Sequence, residues 1–233
     1  MQTIQNETVL RSYKMASDRG FAPNPYGGVL TLATCKSHIR RCLTKEKSLG
    51  EWLAGFTSKG LNKKYKVSDK KLIYLARIDD ILPMESYWDK YPIKRSYPSS
   101  DNIYRNVNGS LVWVPNPFHK TEKEQKDDLD GMKVIISRNY FYFGEKALSI
   151  EAFSKFSEIN IPDGAACYGW LTIGRVVDAL IKWVKNEAKK MATVEGQHHM
   201  FGEPHGPVVP SQDAALVASS GCLNVRSSPR GCS

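Results

Sequence analysis

The sequence has no run of about 18 consecutive apolar residues, the length that a membrane-spanning helix requires. Its first residues, MQTIQNETVLRSYK, lack the apolar segment of a secretory signal peptide. These two absences predict a cytoplasmic protein with no membrane partner. The phosphate-binding pattern GxxxxGKS or GxxxxGKT is missing as well, which excludes a P-loop nucleotide site.

Cysteine pairs with CxxC spacing are also absent, and the five cysteines fit no zinc ligand set. The sequence therefore predicts no metal site. Cys35 and Cys42 lie on one face of a helix that we predict over residues 35–43. We interpret both as buried small hydrophobic side chains, in preference to the alternative of a catalytic cysteine.

Positive charge is present in excess. Lys and Arg number 33 against 24 Asp and Glu, which gives a formal net charge of +9. A basic excess of this size favours a polyanionic partner such as nucleic acid or a nucleotide. The alternative is a basic surface that is merely solvated. The hydrophobic fraction of 41% and the charged fraction of 24% are ordinary for a soluble globular protein.

Hydrophobic patterning divides the chain into strands, helices and a C-terminal tail. The predicted strands cover residues 8–15, 29–33, 50–58, 71–78, 111–114, 133–137 and 140–143. The predicted helices cover residues 35–43, 84–91, 148–156 and 173–191. The charged segments 59–70 and 119–131 are predicted as loops. Composition changes after residue 190, so residues 1–190 are predicted to form the domain and residues 191–233 a flexible low-complexity tail.

The most specific segment is DRGFAPNPYGGVLTLATCKSHIRR, residues 18–41. Its glycines permit positive φ angles and its prolines fix φ, so the chain must turn tightly here. Polar side chains nevertheless stand in this turn, which indicates either a demanding structural corner or a ligand-binding loop. A basic helix face follows the turn, in a position where a phosphate group can bind.

Part of this segment, FAPNPYGG followed by TLATCK and IRR, resembles the nucleotide modification associated domain 2 (Nmad2) family of prokaryotes and phages. Weaker matches follow in order along the chain. They are Gly50-Glu51-Trp52, Gly55 with Ser58, Leu72-Ile73-Tyr74, Asp101-Asn102-Ile103-Tyr104 and Ser137 through Phe141-Tyr142-Phe143-Gly144. The resemblance covers about residues 7–190. It implies a setting of DNA modification or phage defence more than a mechanism.

The order strand, helix, strand, basic loop, strand is similar to the small mixed barrels of the PUA, EVE and ASCH group, by analogy of fold. We therefore expect an α+β fold built on a small mixed β-barrel or strongly curved sheet (PUA/EVE-like) with flanking helices. The similarity implies a pocket beside the barrel, where members of that group bind RNA or modified DNA bases.

The first predicted site cluster lies in the glycine-rich turn. Asp18 is a candidate catalytic proton acceptor, and Asn24, held between two prolines, offers a fixed amide to a base edge. The candidates for nucleotide binding in this cluster are Arg19, Asn24, Tyr26, Gly27, Gly28 and Lys36. The alternative is that Asp18 and Asn24 satisfy backbone groups of the turn.

The second predicted cluster surrounds the Asp-Asn-Ile-Tyr motif of the family resemblance, beside a predicted hairpin. The resemblance carries over Asp101 as a catalytic candidate and Asn102 as a nucleotide-binding one. Tyr104 and Arg105 adjoin them and are further candidates for nucleotide binding. The alternative is an Asx turn without function.

His119 is the third catalytic candidate, because imidazole suits acid–base chemistry near neutral pH. It is expected at a loop edge. Tyr142 shares one face of a predicted strand with Tyr140 and is a candidate wall for a bound base. The alternative is that these aromatic side chains belong to the core.

These observations predict recognition or processing of a nucleotide or a modified nucleic-acid base. In the recognition form, a pocket holds a flipped base and the basic surface contacts phosphates. One alternative is a nucleotide-modifying enzyme or nuclease that uses acid–base or metal-assisted chemistry. Another is a protein-interaction module. The missing metal spacing favours binding, and both the cofactor and the oligomeric state are left open.

Overall fold

The computed structural model describes residues 7–95, 100–163, 170–192 and 199–207, which form a mixed α+β fold. The strands are β1 (Val9–Met15), β2 (Leu30–Leu32), β3 (Trp52–Thr57), β4 (Lys71–Arg77), β5 (Asp80–Pro83), β6 (Tyr104–Val107), β7 (Ser110–Trp113), β8 (Lys133–Ser137), β9 (Tyr140–Tyr142), β10 (Leu148–Ser149) and β11 (Trp170–Ile173). The helices are α1 (Ser37–Cys42), α2 (Lys45–Ser48), α3 (Lys59–Tyr65), α4 (Met84–Lys90), α5 (Glu122–Gly131) and α6 (Arg175–Met191). Short 3-10 turns cover Pro92–Arg95, Gly144–Lys146, Ile150–Ala152 and Phe156–Glu158.

A sheet with the order β10-β4-β3-β1-β11, in which β9 also pairs with β4, forms the centre of the molecule. Strands β1 and β3 are parallel, and the other pairs are antiparallel. All of β3 is buried because both faces of the sheet are covered. Gly55 is required in β3, since a Cβ there would lie 2.3 Å from the ring of Tyr74 and 2.6 Å from the sulfur of Met15.

Helix α6 covers one face of this sheet. Its buried positions recur every three to four residues and join one core with side chains from β1, β3 and β4. They are Val176, Val177, Leu180, Ile181, Val184 and Ala188. The sequence predicted this helix and this stripe, and the structure confirms both, although Ile173 ends β11 instead of beginning the helix.

The opposite face of the large sheet packs against a smaller sheet with the order β2-β8-β5 and against α1. Helix α4 and the β6–β7 hairpin pack on the far side of the smaller sheet, where they enclose a third core. The α+β class is therefore confirmed. The described strands do not close into a barrel, so the predicted PUA-like barrel is not confirmed.

The segment 119–131 was predicted as a mobile loop, and this prediction is wrong because the segment contains α5. The helix begins with a capping box in which the side chains of Thr121 and Glu124 each accept from the other's backbone N–H. Its buried face includes Asp128 and Gln125 as well as Leu129. A helix whose buried face is largely polar has no apolar periodicity to reveal it.

Two further assignments are corrected. The predicted loop 59–70 contains α3, which Ser58 caps by accepting from a backbone N–H of the first turn. The predicted helix 148–156 is instead the short strand β10 followed by 3-10 turns. In the described ranges, no helix is both long and apolar enough to cross a bilayer.

Residues 199–207 belong to the predicted tail and are packed against the fold. The backbone N–H of Phe201 donates to the carbonyl of Tyr142 at 2.8 Å, and the Phe201 side chain is buried. The N–H of Gly206 donates to the carbonyl of Asp18, also at 2.8 Å. The rest of the predicted tail beyond Ala192 lies outside the described residues.

Candidate active site

A strained turn joins β2 to α1 and carries Cys35. Both Cys35 and Lys36 have left-handed backbone conformations, with φ angles of 54° and 44°. Each such conformation costs about 1–3 kcal/mol and persists where surrounding contacts enforce it. Here the Cys35 N–H donates to Oδ1 of Asp128 at 2.5 Å, and its carbonyl accepts from the Arg40 guanidinium at 2.7 Å. A sharp turn from strand to helix is a geometry that presents nucleophiles in other enzyme folds.

Cys35, His119 and Asp128 form a continuous chain of polar contacts. The Cys35 sulfur lies 3.2 Å from Nε2 of His119. The other ring nitrogen, Nδ1, lies 2.6 Å from Oδ2 of Asp128. This is the arrangement in which a general base activates a nucleophile and a third group orients the base. The carboxylate of Asp128 is fully buried, whereas Cys35 is partly exposed.

The electrostatic environment favours a charged imidazole. Burial alone lowers the pKa of His119, but the hydrogen bonds to Asp128 and Cys35 outweigh it and raise this pKa to about 10. His119 therefore carries a proton at neutral pH. A positive charge beside a thiol favours the thiolate, which is the reactive form of cysteine.

Arg40 contacts both Cys35 and Asp128, the two ends of this series of polar contacts. Its side chain is fully buried and donates to the backbone carbonyls of Cys35 at 2.7 Å, Asp128 at 2.7 Å and Lys133 at 2.9 Å. The guanidinium also lies 3.9 Å from the carboxylate of Asp128. Gly131 leaves room for it, because a Cβ at that position would lie 2.5 Å from Cζ of Arg40. One buried cation thus ties the turn that carries Cys35 to the helix that carries Asp128.

Tyr104 completes the shell around the carboxylate. Its hydroxyl donates to Oδ2 of Asp128 at 3.0 Å. Burial, together with the neighbouring Asp128, raises the pKa of Tyr104 above its ordinary value. The phenol therefore remains a neutral donor. Asp128 accepts from a backbone amide, an imidazole and a phenol, which is the satisfied state that a buried carboxylate requires.

Cys35 lines a cavity of about 750 Å³. This volume lies within the range of small-molecule sites, about 300–1,000 Å³. Phe21 and Phe118 form an aromatic wall, with ring centroids 4.8 Å apart and planes 26° apart. Phe21 also contacts the His119 ring edge-on at 4.9 Å. The cavity therefore combines a partly exposed thiol with a flat apolar surface.

The same three side chains are also types that bind metal ions, and one ligand atom of each lies within 4.8 Å of the others. Both oxygens of Asp128 are already engaged, Oδ1 by the Cys35 amide and Oδ2 by His119 and Tyr104. The remaining donors are one sulfur and one imidazole nitrogen, fewer than the three or four protein ligands of a zinc site. The residues therefore fit an activated nucleophile better than a metal centre.

Three of the predicted site residues line this cavity: His119, Arg19 and Lys36. The structure brings them together from segments more than 80 residues apart. The predicted Tyr104 lies directly behind, on Asp128. The remaining predicted residues do not line the cavity. They are Asp18, Asn24, Tyr26, Gly27, Gly28, Asp101, Asn102, Arg105 and Tyr142.

Asn24 and Asp101 belong to a buried network that shapes the glycine-rich turn. The ammonium of Lys94 donates to the side chain of Asn24 at 2.9 Å and to the carbonyls of Asn24, Tyr26 and Val29 at 2.5–3.0 Å. Asp101 accepts from two neighbouring hydroxyl groups at 2.7 and 2.9 Å. Burial lowers the pKa of Lys94 and raises that of Asp101.

Other predicted residues also contact the protein itself. The side-chain amide of Asn102 donates to carbonyls at the end of α4 at 3.0–3.3 Å. The hydroxyl of Tyr26 donates to Glu203 at 3.2 Å. Gly27 and Gly28 are exposed with φ angles of 73° and 75°, and Arg105 is exposed on β6. Their predicted part in nucleotide binding stays a prediction.

Asp18 and Tyr142 meet in a second buried group. The hydroxyl of Tyr142 donates to Oδ1 of Asp18, and Nδ1 of His205 lies 2.7 Å from Oδ2. Asp18 therefore anchors the segment 199–207 beside the residues that line the cavity. The face that Tyr142 shares with Tyr140 is buried against the core rather than open to solvent.

The interpretation of Cys35 and Cys42 as buried hydrophobic side chains is wrong. Cys42 is exposed, and Cys35 is partly exposed and precedes α1 instead of lying within it. The sequence reasoning also missed Asp128, which is placed by α5. The available signal was the place of Cys35 between an apolar strand and a helix, in a chain that also has His119 outside its tail.

The sequence model of the family described as nucleotide modification associated domain 2 matches residues 7–199. The chain therefore belongs to the Nmad2 family. No curated protein and no solved structure matches it.

Proposed function

We propose that this chain is a cysteine-dependent enzyme that processes a nucleotide or a modified nucleic-acid base in a DNA-modification or phage-defence setting. The observation that carries the proposal is the contact of 3.2 Å between the Cys35 sulfur and His119, whose other nitrogen lies 2.6 Å from Asp128. Membership of the Nmad2 family supplies the nucleotide context. The aromatic wall and the basic excess support the same class of substrate.

The geometry supports covalent catalysis. The thiolate of Cys35 attacks an electrophilic carbon of the substrate, and a carbon–sulfur bond forms as the leaving group departs. His119 gives its Nε2 proton to that leaving group. Water then loses a proton to His119 and adds to the same carbon, and the carbon–sulfur bond breaks to return the thiolate. Asp128 keeps Nδ1 protonated and the ring oriented throughout, while Arg40 and Tyr104 hold the carboxylate.

This assignment changes the roles proposed for the predicted residues. His119 keeps its catalytic role and acts as the general acid and base. Arg19 and Lys36 keep their roles in nucleotide binding because they line the cavity. For Asp18 and Asp101 we propose structural roles, since both are buried and bonded within the protein.

A recognition role without chemistry is the second candidate. It is favoured by the Phe21–Phe118 wall, which offers a stacking surface for a base. The two candidates differ in what the thiol contributes. Replacement of Cys35 abolishes turnover in an enzyme, whereas a reader keeps its affinity and has no turnover to lose.

The experiment combines substrate conversion with detection of the covalent intermediate. Deoxynucleoside 5′-monophosphates and short DNA duplexes with canonical or modified bases are incubated with the wild type, Cys35→Ser and His119→Gln. We expect altered nucleotide by chromatography and a mass adduct on Cys35 in the wild type alone. Cys42→Ser is the matched control and should behave as wild type. Turnover that survives Cys35→Ser would refute the proposal.

A further inference from the structure

The cavity carries positive charge that the proposed chemistry does not use. Arg19, Lys36 and Lys64 line it from three separate segments: the loop after β1, the turn before α1 and helix α3. We call these three residues the cationic rim. Convergence of cations from separate elements is typical of a site for an anionic group.

Three acidic side chains lie in the same lining: Glu124, Asp127 and Asp128. The buried carboxylate of Asp128 lies against His119 and Arg40. Glu124 caps the start of α5, where its carboxylate accepts from the backbone N–H groups of Lys120 and Thr121 at 2.9 Å each. Asp127 is exposed on α5. Two of the three carboxylates are thus committed to protein groups.

The cationic rim adjoins the aromatic wall. The guanidinium of Arg19 lies 5.9 Å from the ring centroid of Phe118, which is partly exposed in the cavity. Phe118 precedes His119 in the chain, so a flat group on this ring lies next to the catalytic pair. A ligand with a planar ring and a phosphate a few ångströms away matches both surfaces.

We propose that the cavity binds the phosphate of its substrate through the cationic rim, so that the ligand is a phosphorylated nucleotide and not a free base or nucleoside. The inference rests on the proposed function and names its substrate class. A free nucleotide and a nucleotide unit of a single DNA strand share this chemistry. Phe118 contacts the base, and the rim contacts the phosphate.

The test measures protection of Cys35 from alkylation by iodoacetamide, followed by peptide mass spectrometry. The probes are the four deoxynucleoside 5′-monophosphates, the matching deoxynucleosides, and a short single-stranded oligodeoxynucleotide. We expect monophosphates or the oligonucleotide to protect at concentrations at least about tenfold below those of the nucleosides, the factor expected from about 1.4 kcal/mol. Protection by monophosphates identifies a free nucleotide, and protection by the oligonucleotide alone identifies a strand.

The rim itself is tested with Lys64→Gln and a matched control on the same helix. Lys63 is exposed on α3 and does not line the cavity, so Lys63→Gln removes the same charge elsewhere. We expect Lys64→Gln, and not Lys63→Gln, to raise the protecting concentration several-fold at low salt. Equal effects of the two variants, or equal protection by nucleosides and nucleotides, would overturn the inference.

The two proposals fail in different ways. If Cys35 is alkylated faster than Cys42 in a reaction that depends on His119, the catalytic proposal stands even when phosphate gives no protection. If Cys35 reacts no faster than the exposed Cys42, the proposed function itself fails. The alkylation rates without any nucleotide therefore separate the two results.

Discussion

Replacing Arg40 by Met tests the contacts that hold the turn of Cys35 against the helix of Asp128. The guanidinium donates to three backbone carbonyls, that of the buried Asp128 and those of the partly buried Cys35 and Lys133. Each buried acceptor that loses its donor costs about 1–3 kcal/mol, so the three together cost about 3–9 kcal/mol if nothing relaxes. Because carbonyls retain a second lone pair and the site can admit water, we expect about 4 kcal/mol, similar to the loss of one partner of a buried ion pair.

Urea unfolding measures this loss as a shift of the midpoint. With a slope of about 2–3 kcal/mol per molar, the midpoint should fall by roughly 1.3–2 M. Gly131→Ala should lower it as well, because its methyl group would lie 2.5 Å from the centre of the guanidinium. Both variants should also slow alkylation of Cys35. A loss below about 1 kcal/mol in Arg40→Met would refute the reasoning, since it would mean that the three carbonyls need no buried donor.

Three further predictions follow from the charged contacts. Against the effect of burial, the hydrogen bonds of His119 to Asp128 and Cys35 raise its pKa to about 10, so it stays protonated below that pH. The contribution of protonated His119 to the free energy of unfolding is complete below its ordinary pKa of about 6.5 and is lost as the pH rises through about 10. To check this, urea midpoints of the wild type and of His119→Gln are compared at both ends of this pH range. The difference between the two proteins should shrink as the pH rises. Lys94→Met should cost about 3–5 kcal/mol in urea unfolding, since the backbone carbonyls of Asn24, Tyr26 and Val29 lose the ammonium that donates to them, at about 1–3 kcal/mol each, and hydrogen exchange in the glycine-rich turn should accelerate; unchanged exchange would contradict the role of these contacts. His205→Ala should cost about 1–3 kcal/mol, because Asp18 loses a buried donor, and a variant as stable as wild type would refute that contact.

Local patterns in the sequence predicted the elements whose core positions repeat regularly. The stripe of α6 and the apolar runs of β3 and β4 were read correctly because each buries a continuous apolar face. Helix α5 was missed because its buried positions include Asp128 and Gln125, which look like surface residues in a sequence. The barrel was not confirmed because strand order depends on long-range pairing that local composition does not encode.

For the same reason, local patterns predict only part of the candidate site. The chemistry of imidazole indicates His119, and a place beside the glycine-rich turn indicates Arg19 and Lys36. Cys35 becomes a candidate only when it is known that His119 and Asp128, which follow it by 84 and 93 positions, contact it in the fold. No helical or strand period carries that information. Asn24 and Asp101 are candidates in the sequence because of their polar side chains, but both side chains are hydrogen-bonded within the protein.

The contacts of residues 199–207 extend the packed part of the chain beyond the family match. The family match stops at residue 199, whereas packing continues through Gly206, which bonds to the carbonyl of Asp18. A chain shortened to the matched range would leave the Asp18 carboxylate without the imidazole of His205 and would lack Phe201, which stacks on Phe141 and Phe143. Recombinant work on this protein, and sequence searches for its relatives, should therefore take residue 207 as the earliest C-terminal boundary.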